Sequence, residues 1–219
     1  MTLKFTGCDE QALVEQFRTK GYASVDALLT DVQIAELSKE LERHRSANVR
    51  NLLTTSGTVR ALATSEPVDY LAKRLLGSSA RAVKATLFDK TPETNWKVPP
   101  HQDVTIVVQD KIETPGYGPW TIKQGCQNVQ PPSAILEQMV AFRFHLDDCS
   151  VTNGALKIWP GSHTHGRLGD AGVEKWVNSN AYDICPMNAG SLLIMHPLAI
   201  HGSSAASNPH HRRVIHVDF

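Results

Sequence analysis

The sequence is short of everything that marks a specialised surface. Lys plus Arg number 22 and Asp plus Glu number 22, so no net charge is available to hold a nucleic-acid backbone. No apolar run is long enough to cross a bilayer, and nothing near the N-terminus, mixed polar from Lys4 onward, reads as a signal peptide. Aromatic residues make up only 6%. The four cysteines, Cys8, Cys126, Cys149 and Cys185, have no short paired spacing, which excludes a zinc knuckle or redox pair and fits a reducing cytoplasm. No internal repeat or low-complexity tract is present. What remains is an ordinary globular composition, 41% apolar and 20% charged, over 219 residues, enough for one large domain with an unstapled core.

Histidine is the exception, with ten residues. The pattern begins with helices. Leu13, Val14 and Phe17 recur at helical spacing over 9–20, ahead of Gly21. A short strand is expected over 22–25. A second helix is expected over 26–44, with Asp31 as a possible N-cap, and a third over 66–76 before Gly77. The polar segment 45–57 interrupts them. From Ala80 the period shortens to that of strands. Strands are expected over 81–88, 104–109, 139–146, 155–159, 182–185, 191–195 and 214–219. Asn153-Gly154 predicts a hairpin over 139–159. Two stretches carry little periodicity, 110–134 and 164–181; the first is expected to be a lid loop.

Helices followed by short strands predict a mainly β protein, an antiparallel jelly roll buttressed by N-terminal helices. The expected layout is a single domain, with a helical buttress over 1–79 and a jelly-roll core over 80–219.

His101-Gln102-Asp103 stands before a strand-like run. Side chains alternate along a strand, so His101 and Asp103 face one way and Gln102 the other. An imidazole and a carboxylate on one face need one more histidine to complete the facial set that holds iron and leaves three positions open. His201 is the expected third ligand. His-x-Asp occurs twice more, at His145/Asp147 and His216/Asp218. The last has no histidine downstream. For His145/Asp147, only about three strands separate Asp147 from His201, too few to wrap a barrel, and the hairpin would put Asp147 near its turn. Arg212 and Arg213 open the final strand. A guanidinium inside a barrel calls for a carboxylate partner. Alternation puts Arg212 with Val214, His216 and Asp218, and Arg213 with Ile215, Val217 and Phe219, without saying which face is inside.

These stretches together resemble the phytanoyl-CoA dioxygenase family of iron- and 2-oxoglutarate-dependent oxygenases. The likeness runs through Leu87-Phe88-Asp89-Lys90, Asn95-Trp96, His101-Gln102-Asp103, Asn153-Gly154-Ala155-Leu156, Pro160-Gly161-Ser162-His163, and His196 through Ser203 with Arg212. It implies a double-stranded β-helix of the cupin kind, with Fe(II) on His101, Asp103 and His201. It implies 2-oxoglutarate and O2 as co-substrates, with Arg212 and Ser203 on the far carboxylate. Some members have tryptophan where this chain has Arg143, which gives that arginine either 2-oxoglutarate, a substrate anion or an ion pair to bind. The implied reaction is hydroxylation of an unactivated C–H bond of a small molecule, releasing succinate and CO2; desaturation or ring closure share its opening steps. Halogenation is disfavoured because Asp103 fills the position it would need open. Asn95 and Trp96 are expected near the substrate, and the loop aromatics Trp96, Tyr117 and Trp120 favour a small or apolar one. No nucleic-acid or membrane partner is expected. The competing expectations are a metal-binding jelly roll that oxidises nothing, and a zinc hydrolase on the same ligands.

Overall fold

The computed structural model describes residues 9–44 and 46–219. Cys8 and Arg45, which figured in the reading above, lie outside the described residues.

The first helix, α1 (Glu10–Lys20), is capped by Asp9, whose Oδ1 accepts from the backbone N–H of Gln11 and Ala12. Gly21 closes it in the left-handed region (φ 81°). A side chain there would also collide with His163, whose Nδ1 lies 2.5 Å from where a Cβ would stand. Strand β1 (Tyr22–Val25) follows. Helix α2 (Asp31–Leu41) is shorter than the expected 26–44. Its cap is Thr30 rather than Asp31, in a reciprocal capping box with Gln33. Leu29 instead sits in the loop before it, its N–H donating to the Gly190 carbonyl. The segment 45–57 carries β2 (Asn48–Val49) and α3 (Leu52–Thr55), followed by α4 (Gly57–Ala63) and α5 (Glu66–Leu76).

The strands then run β3 (Lys84–Lys90), β4 (Val98–His101), β5 (Ile106–Val108), β6 (Trp120–Lys123) and β7 (Cys126–Val129). After α6 (Ser133–Leu136) come β8 (Ala141–His145), β9 (Leu156–Ile158), α7 (Gly169–Ser179), β10 (Asp183–Cys185), β11 (Leu192–Met195), β12 (His201–Ser203) and β13 (Arg212–Asp218).

These strands form a jelly roll of two main antiparallel sheets, without a closed barrel. The larger has the order β1-β11-β8-β13-β3-β2 and the smaller β10-β9-β12-β4. Both edges of the larger sheet, β1 and β2, come from the segment expected to be a helical buttress. Its outer face, with Leu87, Phe142, Phe144, Ile194, Ile215 and Val217, is covered by apolar residues of α1 through α5. Its inner face meets the smaller sheet through Ala141, Leu193 and Met195 against Leu156, Ile158 and Cys185. Side-chain alternation on β8 and β13 therefore resolves into a dry helical side and an inner side.

Three expectations are corrected. Asn153-Gly154 does not turn a hairpin: β8 pairs with β11 and β13, β9 with β10 and β12, so the turn carries the chain from one sheet to the other. The 110–134 segment is not irregular, because β6 and β7 form a hairpin that joins β5 in a third sheet. The 164–181 segment contains α7, whose Val173 packs on Trp159 and Ile200 behind the smaller sheet. Its apolar positions, Val173, Trp176 and Val177, are at helical spacing, but too few to stand out from the polar residues between them. No helix is long and apolar enough to cross a membrane, among the described residues.

Candidate metal centre

His101 ends β4 and His201 begins β12, and the two are directly opposite in the antiparallel register. One hundred residues of sequence thus shrink to one strand spacing. Gly202 makes the approach possible: a Cβ there would stand 2.9 Å from the Val98 carbonyl. The imidazole centroids are 4.4 Å apart. Each ring is aimed by the same device, an Nδ1 at 2.9 Å from the carbonyl two residues back, Pro99 for His101 and Ala199 for His201. With Nδ1–H donating there, each Nε2 keeps its lone pair, the arrangement a metal ligand requires.

Asp103 lies just beyond β4, its N–H held by the Pro197 carbonyl at 2.8 Å. Its two oxygens reach the two imidazoles separately, Oδ1 at 3.7 Å from His101 Nε2 and Oδ2 at 3.6 Å from His201 Nε2. The three donor atoms lie within 4.8 Å of one another, the one such group of metal-binding side chains among the described residues. Burial holds His201 down to about 4, so the ring is neutral. Burial also raises Asp103, but His201, His216, His101 and Lys84 outweigh it and keep the carboxylate ionised. Two imidazole nitrogens and an anionic oxygen suit a divalent first-row metal. Gln102 faces the other way as expected, its amide tied to Leu198, Gly166 and Leu168 backbone.

The rival pairs are used otherwise. Asp147 spends both oxygens on Arg213, at 2.9 Å from Nε and 2.7 Å from Nη2. His145 is buried on the inner face with neither ring nitrogen partnered, and burial lowers it to about 3. His216 Nε2 donates to Asp218 Oδ1 at 2.8 Å, and Asp218 pairs with Lys84 at 2.5 Å.

A cavity of about 170 Å³ opens beside the three donors, lined among others by Arg143, Ser203 and Arg212. Arg212 is buried; it donates through Nη1 to the Gly154 carbonyl while its Nε has no partner. Arg213 points out, so the inner face of β13 is that of Arg212, His216 and Asp218. Arg143 Nη1 donates to His216 Nδ1 at 3.0 Å, and its buried Nε is also unpartnered. Trp96 lines the cavity, but Asn95 does not: its amide clamps the Ala206 backbone with bonds of 2.8 and 2.7 Å.

Sequence reasoning passed over Lys90. Its ammonium is buried, donating to Ser203 Oγ at 3.0 Å and to the Trp96 carbonyl at 2.7 Å. Burial first, and Arg212 second, lower it to about 8. The signal was there, since a lysine inside a strand that pairs with β13 and shares the inner face of Phe88 is unusual enough to ask what it binds.

Over residues 17–214 the sequence matches the profile described as phytanoyl-CoA dioxygenase. The chain belongs to the phytanoyl-CoA dioxygenase family. No functionally curated protein is matched by sequence. Among solved structures, the phytanoyl-CoA dioxygenase fold of this chain is similar to the non-heme, alpha ketoglutarate dependent epimerase SnoN from nogalamycin biosynthesis, whose structure is in complex with Fe3+, alpha ketoglutarate and nogalamycin RO. The TM-score is 0.72 at 20% identity, over 95% of this chain and 82% of SnoN. AviO1 from Streptomyces viridochromogenes Tue57 gives 0.71 at 23% identity, over 99% of this chain and 96% of AviO1. The carbocyclase SnoK, also from nogalamycin biosynthesis, gives 0.75 at 16%, over 100% of this chain and 86% of SnoK. At such identities the likeness speaks for the fold.

Proposed function

We propose that this chain is a non-haem Fe(II)- and 2-oxoglutarate-dependent oxygenase of a small molecule, hydroxylating an unactivated C–H bond with release of succinate and CO2. The observation that carries the reading is the convergence of His101, Asp103 and His201 beside a cavity whose other end is cationic.

His101 Nε2, one Asp103 oxygen and His201 Nε2 would hold the iron. Bound there with 2-oxoglutarate, iron supplies activation of O2 coupled to oxidative decarboxylation of the 2-oxo acid. The chain's own residues do the rest. The carbonyls of Pro99 and Ala199 fix the imidazoles in the coordinating tautomer. Arg212 receives the far carboxylate of 2-oxoglutarate, with its orphaned Nε–H as a donor. Ser203 joins it, and Lys90 holds that hydroxyl and adds a second positive charge. Arg143, braced by His216 and Asp218, offers a further unpartnered N–H along the length of the co-substrate.

A metal-binding jelly roll without chemistry would have no use for this far end. Three buried cations, Lys90, Arg143 and Arg212, stand there with no carboxylate in direct contact among the described residues, an arrangement costly to maintain unless an anion arrives. The solved structures similar in fold include an epimerase and a carbocyclase, so the product formed depends on how the substrate is held. The test is anaerobic loading with Fe(II) and 2-oxoglutarate, followed by O2 and measurement of succinate with and without candidate substrates. Iron-loaded protein that forms no succinate under any condition would refute the oxygenase reading. Turnover that persists without O2 would point to a hydrolase.

A further inference from the structure

The cavity is more basic than the co-substrate requires. Its lining holds Arg50, Lys84, Lys123, Arg143 and Arg212 against one carboxylate, Asp103. Lys84 is neutralised by Asp218. On the reading above, on which this inference rests, a divalent iron and Asp103 leave one positive charge, and the two carboxylates of 2-oxoglutarate are then more than met by Arg212 and Arg143. Arg50 and Lys123 remain over. Neither makes an ion pair or a side-chain hydrogen bond among the described residues.

Their position separates them from the co-substrate anchor. In the β13–β3 register Arg212 lies opposite Lys90 and Asp218 opposite Lys84, six residues apart along the sheet. That is roughly 20 Å at the rise of a strand. Arg50 follows β2, whose Val49 faces Leu87 in an antiparallel pair, which sets it level with Thr86, four residues along the sheet from the Lys90–Arg212 pair, and it lines the cavity together with Lys84 and Asp103. Lys123 arrives from the other wall, at the tip of the β6–β7 hairpin. Gln124, the next residue, docks that tip. Its Oε1 accepts from Arg50 N–H at 2.9 Å and its Nε2 donates to the Asn48 carbonyl at 2.9 Å. The two unpaired cations are therefore brought to the same mouth by a built contact between two distant segments. At the same transverse level, Thr86 faces His216 across the sheet, and its buried hydroxyl also lacks a partner.

We propose that the substrate of this site bears an acidic group, a carboxylate or a phosphate, which Arg50 and Lys123 receive at the mouth while the reacting carbon lies over the metal donors. Of the small or apolar substrate expected from the aromatic residues, this keeps the small and replaces the apolar. Of those, Trp96 does line the cavity, where its ring sits 5.0 Å from the Lys90 ammonium.

The test uses the whole protein loaded with Mn(II) and saturated with 2-oxoglutarate, titrated calorimetrically with inorganic phosphate, propionate and propionamide. The expected result is saturable one-site binding of at least one of the two anions, none of propionamide, and retention of 2-oxoglutarate. The anion bound more tightly names the acid group. Arg50→Gln/Lys123→Gln should weaken that anion roughly tenfold or more. Both side chains are at the mouth, and each single variant, expected to lose part of the affinity, serves if the double variant melts early. Failure of both anions to bind, binding only by displacing 2-oxoglutarate, or equal affinity in the variants would overturn the proposal and leave the oxygenase reading standing. Failure of 2-oxoglutarate itself to bind the Mn(II)-loaded protein would overturn both.

Discussion

Asp103 and Asp147 are the two carboxylates of the serious His-x-Asp candidates, and replacing each by asparagine should give opposite results. Asp147 is bound through both oxygens to the Arg213 guanidinium, and Oδ2 also accepts the Arg213 backbone N–H at 2.7 Å. Both side chains are more than four-fifths buried, at 18% and 19% exposure. Asp147→Asn leaves a largely buried guanidinium without its anion and breaks hydrogen bonds to a charged group. The cost should be about 2–3 kcal/mol. For a chain of this size that lowers Tm by roughly 4–12 °C. Metal affinity should not change. Asp103→Asn should do the reverse. Its oxygens stand 3.6 and 3.7 Å from the two imidazoles and, among the described residues, make no side-chain hydrogen bond to a guanidinium or ammonium, so the metal-free protein should melt within about 1–2 °C of the wild type. The wild type should gain about 2.7 kcal/mol from a divalent metal at one hundred times its dissociation constant, and Asp103→Asn should gain almost none. Differential scanning calorimetry with chelator and with Mn(II) reads both quantities on the same samples. If Asp147→Asn abolished the metal-induced gain while Asp103→Asn kept it, the ligand assignment would be wrong.

Arg212→Gln should raise the 2-oxoglutarate dissociation constant of the Mn(II)-loaded protein by about 10–100-fold, because it removes a charge-assisted bond; an unchanged constant by calorimetry would show the anchor lies elsewhere. Lys90→Met should weaken 2-oxoglutarate more than it weakens the metal. With its ammonium lowered to about 8, wild-type 2-oxoglutarate affinity should fall between pH 7 and 9, a slope the methionine variant should lack. His145 carries the acid-stability prediction. Held to about 3 in the fold, it takes a proton at about 6.5 only when unfolded. The unfolded state then binds more protons, so stability falls as pH drops below 6.5, by about 1.4 kcal/mol per unit from this residue. Guanidinium midpoints of the metal-free protein between pH 6.5 and 4.5 should show a shallower decline in His145→Leu than in the wild type; parallel slopes would refute it.

The helices and strands whose periodicity was strong, such as α1, α5 and β11, stand within a few residues of their expected places, because local burial decided them. The errors fall where local signals serve two geometries. Asn153-Gly154 has the φ > 0 glycine of a hairpin turn, at 73°, but a jelly roll uses the same chemistry to step between sheets. The β6–β7 hairpin turns on Gln124-Gly125, with Gln124 itself at φ 48°, and the alternation of Trp120 and Ile122 with Thr121 and Lys123 covers only four residues, too short a run to stand out. In α7 only one residue, Val173, is fully buried, so the stripe was too thin to see.

The candidate metal donors His101, Asp103 and His201, whose ligand atoms the fold brings within 4.8 Å of one another, were named in sequence for a different reason. Their identity came from residue types that coordinate metals, and the fold had only to bring two short segments into register. Of the cations, Arg212 and Arg143 are singled out in sequence only by the family resemblance and Lys90 not at all, because Lys and Arg in a strand mean solvent far more often than cavity. Only the inner-face assignment of β3 and β13 separates Lys90 and Arg212 from Arg213, which lies one residue on and bonds Asp147 outside the cavity. A site whose ligands are named by chemistry but whose specificity is set by burial will always show its reaction in sequence before it shows its substrate. In this chain the proposed acid-binding residues Arg50 and Lys123 come from segments that no spacing rule connects, and one pair of hydrogen bonds through Gln124 brings those segments together.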